Sequence, residues 1–161
     1  MRSAEVAIGR TFVVVFDHGD DFYAALHQVC RDNGIRQGYI PTFIAGFASA
    51  DLVGACEPLE DPQAPVWSSV TLSHVEAVGG GTLAWDETTN TIAPHIHVSI
   101  GLKENGATAH TSHLLGATVQ FLTEMIIVEF AGPAMRREKR ADLYDVPILV
   151  IDNSSPETPL R

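Results

Sequence analysis

The chain has 161 residues, 45% of them hydrophobic, which suits one domain with a real core and argues against global disorder. Its formal charge of −10 describes a surface that repels phosphate backbones, so direct DNA or RNA binding is disfavoured. No apolar run reaches the roughly 20 residues of a membrane helix, and Arg2, Glu5 and Arg10 interrupt any leader-like stretch.

In chain order, Thr11 to Phe16 (TFVVVF) is a β-branched run and predicts a buried strand. Asp17-His18-Gly19 turns the chain, and Asp20 is the expected N-cap of a helix with Asp21 in its first turn. Phe22, Leu26, Val29 and Cys30 recur at helical spacing, and Gly34 stops the helix, which should lay this stripe on the sheet. His18 and His27 read as a turn residue and a solvated helix residue. Cys30 and Cys56, the only cysteines, lack CxxC spacing and suit reduced, buried thiols in a cytoplasmic protein.

From Gly38 to Cys56 the sequence is Gly/Ala-rich, and Pro41 and Gly46 imply an edge, bend or bulge. Residues 57 to 65 carry three prolines and three acids and predict a loop. Val66 to Val78 predicts another strand, after which Gly79-Gly80-Gly81 lets the backbone turn or approach something closely. The triple glycine has neither GxGxxG nor GxxxxGKS spacing, so it predicts no nucleotide cradle. His74, on this strand, is first of all a polar surface position. Thr82 to Trp85 predicts a short strand and Asp86 to Asn90 a turn.

Four of the seven histidines fall between His95 and His113, in HIHVSIGLKENGATAHTSH. His95 and His97, two apart on a strand, share one face at roughly 6.5 Å. Ile96, Val98 and Ile100 fill the other, and this alternation predicts a half-buried strand. The next turn is either a two-residue Asn105-Gly106 loop or a three-residue Glu104-Asn105-Gly106 loop with Gly106 left-handed. The first pairs position 97 with 114 and puts His113 on the wrong face. The second pairs 101 with 109, 99 with 111 and 97 with 113, setting His113 across from His97. His95, His97 and His113 are therefore the candidate metal ligands, with His110 on the opposite face. Three neutral imidazoles with an open position match a catalytic zinc site better than a closed structural one. The plain alternative is three polar residues on a solvated strand face.

Leu114 to Ala117 predicts a compact connection and Val119 to Phe130 a long core strand, interrupted by Glu124 and Glu129. Each acid reads first as a surface or paired residue, with Glu129 the candidate base if the metal lies near. Pro133 to Val146 predicts a charged loop or short helix, and Arg136-Arg137-Glu138-Lys139-Arg140 a solvated segment. Ile148 to Ile151 is the last strand, and residues 152–161 a polar, flexible tail. One clear helix among many strands predicts an α+β domain over residues 1–151, built on antiparallel sheet.

The segments GDDFYAAL and NGI, then GYI, IAGFASADL and GAC, and above all HIHVSIGLKENGATAHTSHLLGATVQFLTEMIIVEF, resemble the PPC (plants and prokaryotes conserved) domain family of the stand-alone prokaryotic type. The resemblance covers roughly residues 8 to 134. It implies an antiparallel sheet flanked by one or more helices, a homotrimer, and kinship with a zinc-dependent acetolactate decarboxylase whose metal sits on an HxH pair and a later His. The matching positions here are His95, His97 and His113. Thr111-Ser112 replaces the family's double glycine, no arginine near Phe16-Asp17 matches the one often found on the first strand, and no Arg-Gly-Arg-Pro hook of the plant members is present. Two readings follow. One is a zinc-dependent protein that binds or transforms a small molecule. The other is a regulatory module that binds DNA, by family alone, or a protein partner without catalysis.

Overall fold

Among the described residues, seven strands and one α-helix follow one another as β1 (Ala7–Asp17), α1 (Phe22–Asn33), β2 (Gly38–Cys56), β3 (Trp67–Asp86), β4 (Thr91–Leu102), β5 (Thr108–Gly132), β6 (Met135–Arg140) and β7 (Val146–Ile151). This computed structural model describes residues 1–56, 67–102 and 106–152. The expected loop at 57–65, residues Glu104 and Asn105 of the hairpin turn, and residues 153–161 of the tail lie outside the described residues.

β2 and β4 each pair antiparallel with both β3 and β5, so these four strands close on themselves into a barrel-like sheet. β1 adds to the far edge of β5, while β6 runs parallel beside the end of β3 and carries β7. Closure leaves few free edges among the central strands. The core fills the inside: Phe43 and Phe47 from β2, Val75 from β3, Ile96, Val98 and Ile100 from β4, and Val119 and Met125 from β5 are all buried.

The helix forms as its periodicity predicts, but its N-cap is Asp21 rather than Asp20. The Asp21 carboxylate accepts the Ala24 N–H at 2.8 Å, while Asp20 instead accepts the Asp17 N–H at 2.9 Å across the turn. Gly34 ends the helix at φ 64°. Phe22, Leu26 and Cys30 go fully inside, and the Phe22 ring meets Phe16, Phe43 and Phe47 at centroid distances of 5.2–5.8 Å. Burying Phe22 contributes roughly 2–3 kcal/mol, and burial pushes the Cys30 thiol up to about 12.

One expectation is narrowed and three are corrected. Gly38–Cys56 is an interior strand that takes the bulge among the expected edge, bend or bulge. Its register shifts on both sides between residues 39–40 and 43, so Pro41 sits in a bulge where its missing N–H breaks no regular ladder. The triple glycine does not turn, and Thr82 to Trp85 is not a separate strand, because β3 runs unbroken through both. A side chain on Gly81 would bring its Cβ to 2.1 Å from the His95 carbonyl oxygen, and one on Gly79 to 2.4 Å from the Phe43 ring. These positions serve close approach. Leu114 to Ala117 is likewise no connection but part of the 25-residue β5. Finally, Met135 to Arg140 is a strand, with only Ala141–Leu143 forming a short 3₁₀ turn.

Candidate metal centre

β4 alternates as its sequence demands, with Ile96, Val98 and Ile100 inside and His95 and His97 outside. Across the hairpin, His97 pairs with His113, Ser99 with Thr111 and Gly101 with Ala109, the register of the three-residue turn. Gly106 is left-handed at φ 62°, as that turn requires. The three imidazoles converge. Their ring centroids stand 5.1, 5.1 and 5.4 Å apart, and one nitrogen from each lies within 4.8 Å of the others. Ser99 and Thr111 continue the polar face with hydroxyls at 2.6 Å.

The donor set fits a zinc ion. The Nε2 atoms of His95 and His97 are 3.2 Å apart, and two nitrogens on one tetrahedral zinc at 2.0–2.1 Å stand roughly 3.4 Å apart. Two of the imidazoles, His95 and His113, are also pushed toward the neutral form, the form a metal needs. Burial first, then the positive neighbours His113, Arg137 and His97, lowers His95 to about 4. Burial, with His97 and Arg137, also lowers His113.

These side chains open into a cavity of about 340 Å³, within the range of small-molecule sites. Its walls are Val53, Ala93, Pro94, Ser112, Val146 and Pro147, and Arg137 lies in it beside the histidines. Arg137 corrects the expectation of a solvated basic run: it is only 7% exposed. Met135 and Arg137 share the inward face of β6, while Arg136 points outward to Glu138 and Asp152. The only sequence signal was that i, i+2 relation to Met135, masked by five charged residues in succession.

The other candidates lie elsewhere. Glu129 is no base for this site. Both its oxygens accept from Arg10, at 2.7 and 2.8 Å, and it lines a separate cavity of about 550 Å³ with Arg36 and Trp85. Glu124 is exposed among Val13, Val15 and Ile44. His74 lies against Gln120 at 3.0 Å with φ 53°, and His110 is exposed opposite Ile100; neither is one of the three grouped histidines. No helix among the described residues is long and apolar enough to cross a membrane.

Several solved structures share the fold. A metal-containing protein from Archaeoglobus fulgidus is 20% identical with a TM-score of 0.76, over 93% of this chain and 99% of that one. A Ralstonia eutropha protein proposed to bind DNA is 22% identical with a TM-score of 0.70, over 86% and 90%. More distantly, alpha-acetolactate decarboxylase from Bacillus subtilis is 15% identical with a TM-score of 0.50, over 89% of this chain and 61% of that one. At such identities the likeness establishes architecture alone. No protein of curated function matches the sequence. The profile of the Plants and Prokaryotes Conserved (PCC) domain matches residues 3–131, well over half of the sequence, and the chain belongs to that family.

Proposed function

We propose that His95, His97 and His113 hold one zinc ion and that its remaining coordination position receives a small molecule from the adjoining cavity. The carrying observation is three imidazoles whose nitrogens lie within 4.8 Å of one another at the mouth of an apolar-walled cavity. Zinc bound there would polarise a ligand oxygen or lower the pKa of a coordinated water. The chain's own contribution is to fix the imidazoles on two paired strands, favour the neutral form of His95 and His113, and shield the cavity with Val146 and Pro147. The metal-containing name of the Archaeoglobus fulgidus protein supports this reading.

The assembly is proposed to be a homotrimer in the cytoplasm. Its supports are the family resemblance, the buried Cys30 thiol, and the large apolar side chains left exposed at Val13, Val15, Ile44 and Phe121. A DNA-binding role is the second reading. It draws on the Ralstonia eutropha relative and runs against the charge of −10.

Elemental analysis of protein purified without a His-tag or chelator, wild type beside His113→Ala, separates the two. The expected result is about one zinc per chain in wild type and little in the variant. If neither carries metal and added zinc binds both alike, the zinc reading fails and the search returns to DNA and protein partners.

A further inference from the structure

Arg137 is a cation in an unusual position. It is 7% exposed, and among the described residues no carboxylate stands within ion-pair distance of it. Its partners are neutral. The guanidinium donates to the Thr82 hydroxyl at 2.7 Å and to the Ala93 carbonyl at 3.3 Å, which engages two of five N–H donors. A buried charge without a counter-charge is costly, and truncating a partner from such a charge is among the most damaging of changes. The other arginines of the same strand show the contrast: Arg136 pairs with Asp152 and Glu138, and Arg140 with Asp142. Arg137 alone of the three turns inward, and what it turns toward is the cavity of the three histidines.

That cavity has no acidic lining residue among those described. Zinc on neutral imidazoles would add two positive charges to that of Arg137. Such a site selects an anion, even in a chain of net charge −10. Apart from Ser112, whose hydroxyl donates to the Val53 carbonyl at 2.7 Å, the rest of the wall, Val53, Ala93, Pro94, Val146 and Pro147, is apolar. This suits the carbon skeleton of an organic acid better than a phosphate needing donors on every side. One guanidinium edge recognises a carboxylate through paired N–H donors.

We propose that this cavity binds a small organic carboxylate, its carboxyl group held by Arg137 and an adjacent hydroxyl or keto oxygen directed to the ion on the three histidines. Arg137, Val146 and Pro147 belong to β6 and β7, beyond the residues 3–131 that match the family. The anion specificity is thus supplied by the C-terminal hairpin, and the metal ligands by the family core. The metal half of this inference rests on the zinc reading above; the Arg137 half does not.

The test is calorimetric titration of lactate, 1,2-propanediol and inorganic phosphate into wild type, Arg137→Gln and Arg137→Lys, with zinc content measured first. At full zinc loading, lactate should bind wild type at least about tenfold more tightly than Arg137→Gln, a difference of about 1.4 kcal/mol, with partial recovery in Arg137→Lys and no binding of the diol. Equal lactate affinity in all three proteins, a diol that binds as well as lactate, or phosphate that binds more tightly than lactate would each overturn the assignment. If Arg137→Gln does not fold, the lysine variant and the lactate–diol–phosphate ranking on wild type decide alone. Should wild type take up no zinc, the zinc reading fails by itself. The same titrations on metal-free protein then judge Arg137: lactate binding lost in the glutamine variant supports the subsite, and no lactate binding to wild type sinks it.

Discussion

β5 carries two polar sites, and they are built on opposite principles. Near one end Glu129 meets Arg10 in a two-pronged ion pair, acid against base, with both carboxylate oxygens occupied. Near the other, His113 joins His95 and His97, all of one chemical kind, with a buried arginine behind them and, among the described residues, no acid in the cavity lining. The first site is complete as the chain makes it. The second gathers donors and positive potential without satisfying either, and a fold tolerates that where something from solution finishes the arrangement. Electrostatic mismatch, more than burial or cavity size, is what separates the proposed metal cluster from the ion pair here. The larger cavity, of about 550 Å³, lies at the matched end.

The strongest way to break the contrast is to disturb the frame under the histidines. Gly81→Ala would place a methyl group 2.1 Å from the His95 carbonyl, forcing β3 and β4 apart where they are paired. Overpacking of this kind costs roughly 3 kcal/mol, so the urea midpoint should fall well below that of wild type and zinc content should drop with it. A variant with the wild-type midpoint and full zinc would show that β4 does not depend on this contact. A somewhat smaller effect is expected from removing the ion. A ligand present at a hundredfold excess over its Kd stabilises the native state by about 2.7 kcal/mol. A chelator should therefore lower the unfolding midpoint of zinc-loaded wild type and leave His97→Ala unmoved. If both respond alike, the three histidines are not where stabilising metal resides.

How far such sites can be read in advance depends on what their residues report. The His95–His97–His113 group was legible because strand alternation fixes faces and the three-residue turn fixes register, and both are short-range rules. The turn residue Gly106 adopts the left-handed conformation that the register needs. Glycine elsewhere was ambiguous: Gly79 to Gly81 read as a turn or a close approach, and they serve the second, staying bare so that β4 and Phe43 can lie against β3. Only the packed structure reveals that use. The helix cap slipped by one residue because Asp20 and Asp21 are the same chemical group, and only the path of the backbone decides which one meets the Ala24 N–H. Arg137 was the largest loss. A run of charges normally means solvent, and nothing local says that one of them is turned inward by a parallel pairing with β3.

The mildest prediction concerns the matched end and sharpens the comparison from that side. The hydrogen bonds from Arg10 hold the Glu129 carboxyl below its ordinary value of 4.5. A carboxylate whose pKa is depressed on folding adds stability that is fully present above its unfolded pKa and disappears as pH falls through its folded one. Wild type should therefore exceed Glu129→Gln in urea midpoint at about pH 7, and the gap should close once the pH drops below the ordinary carboxylate range. The pair is partly exposed, with Arg10 more open than Glu129, so the gap should be small and should narrow in high salt. Zinc content is the control that ties the two ends together. It should be unchanged in Glu129→Gln, since this residue lies outside the histidine cavity. A loss of zinc in that variant would mean that the two ends of β5 are coupled, and the separation between a self-completed site and an open one would no longer hold.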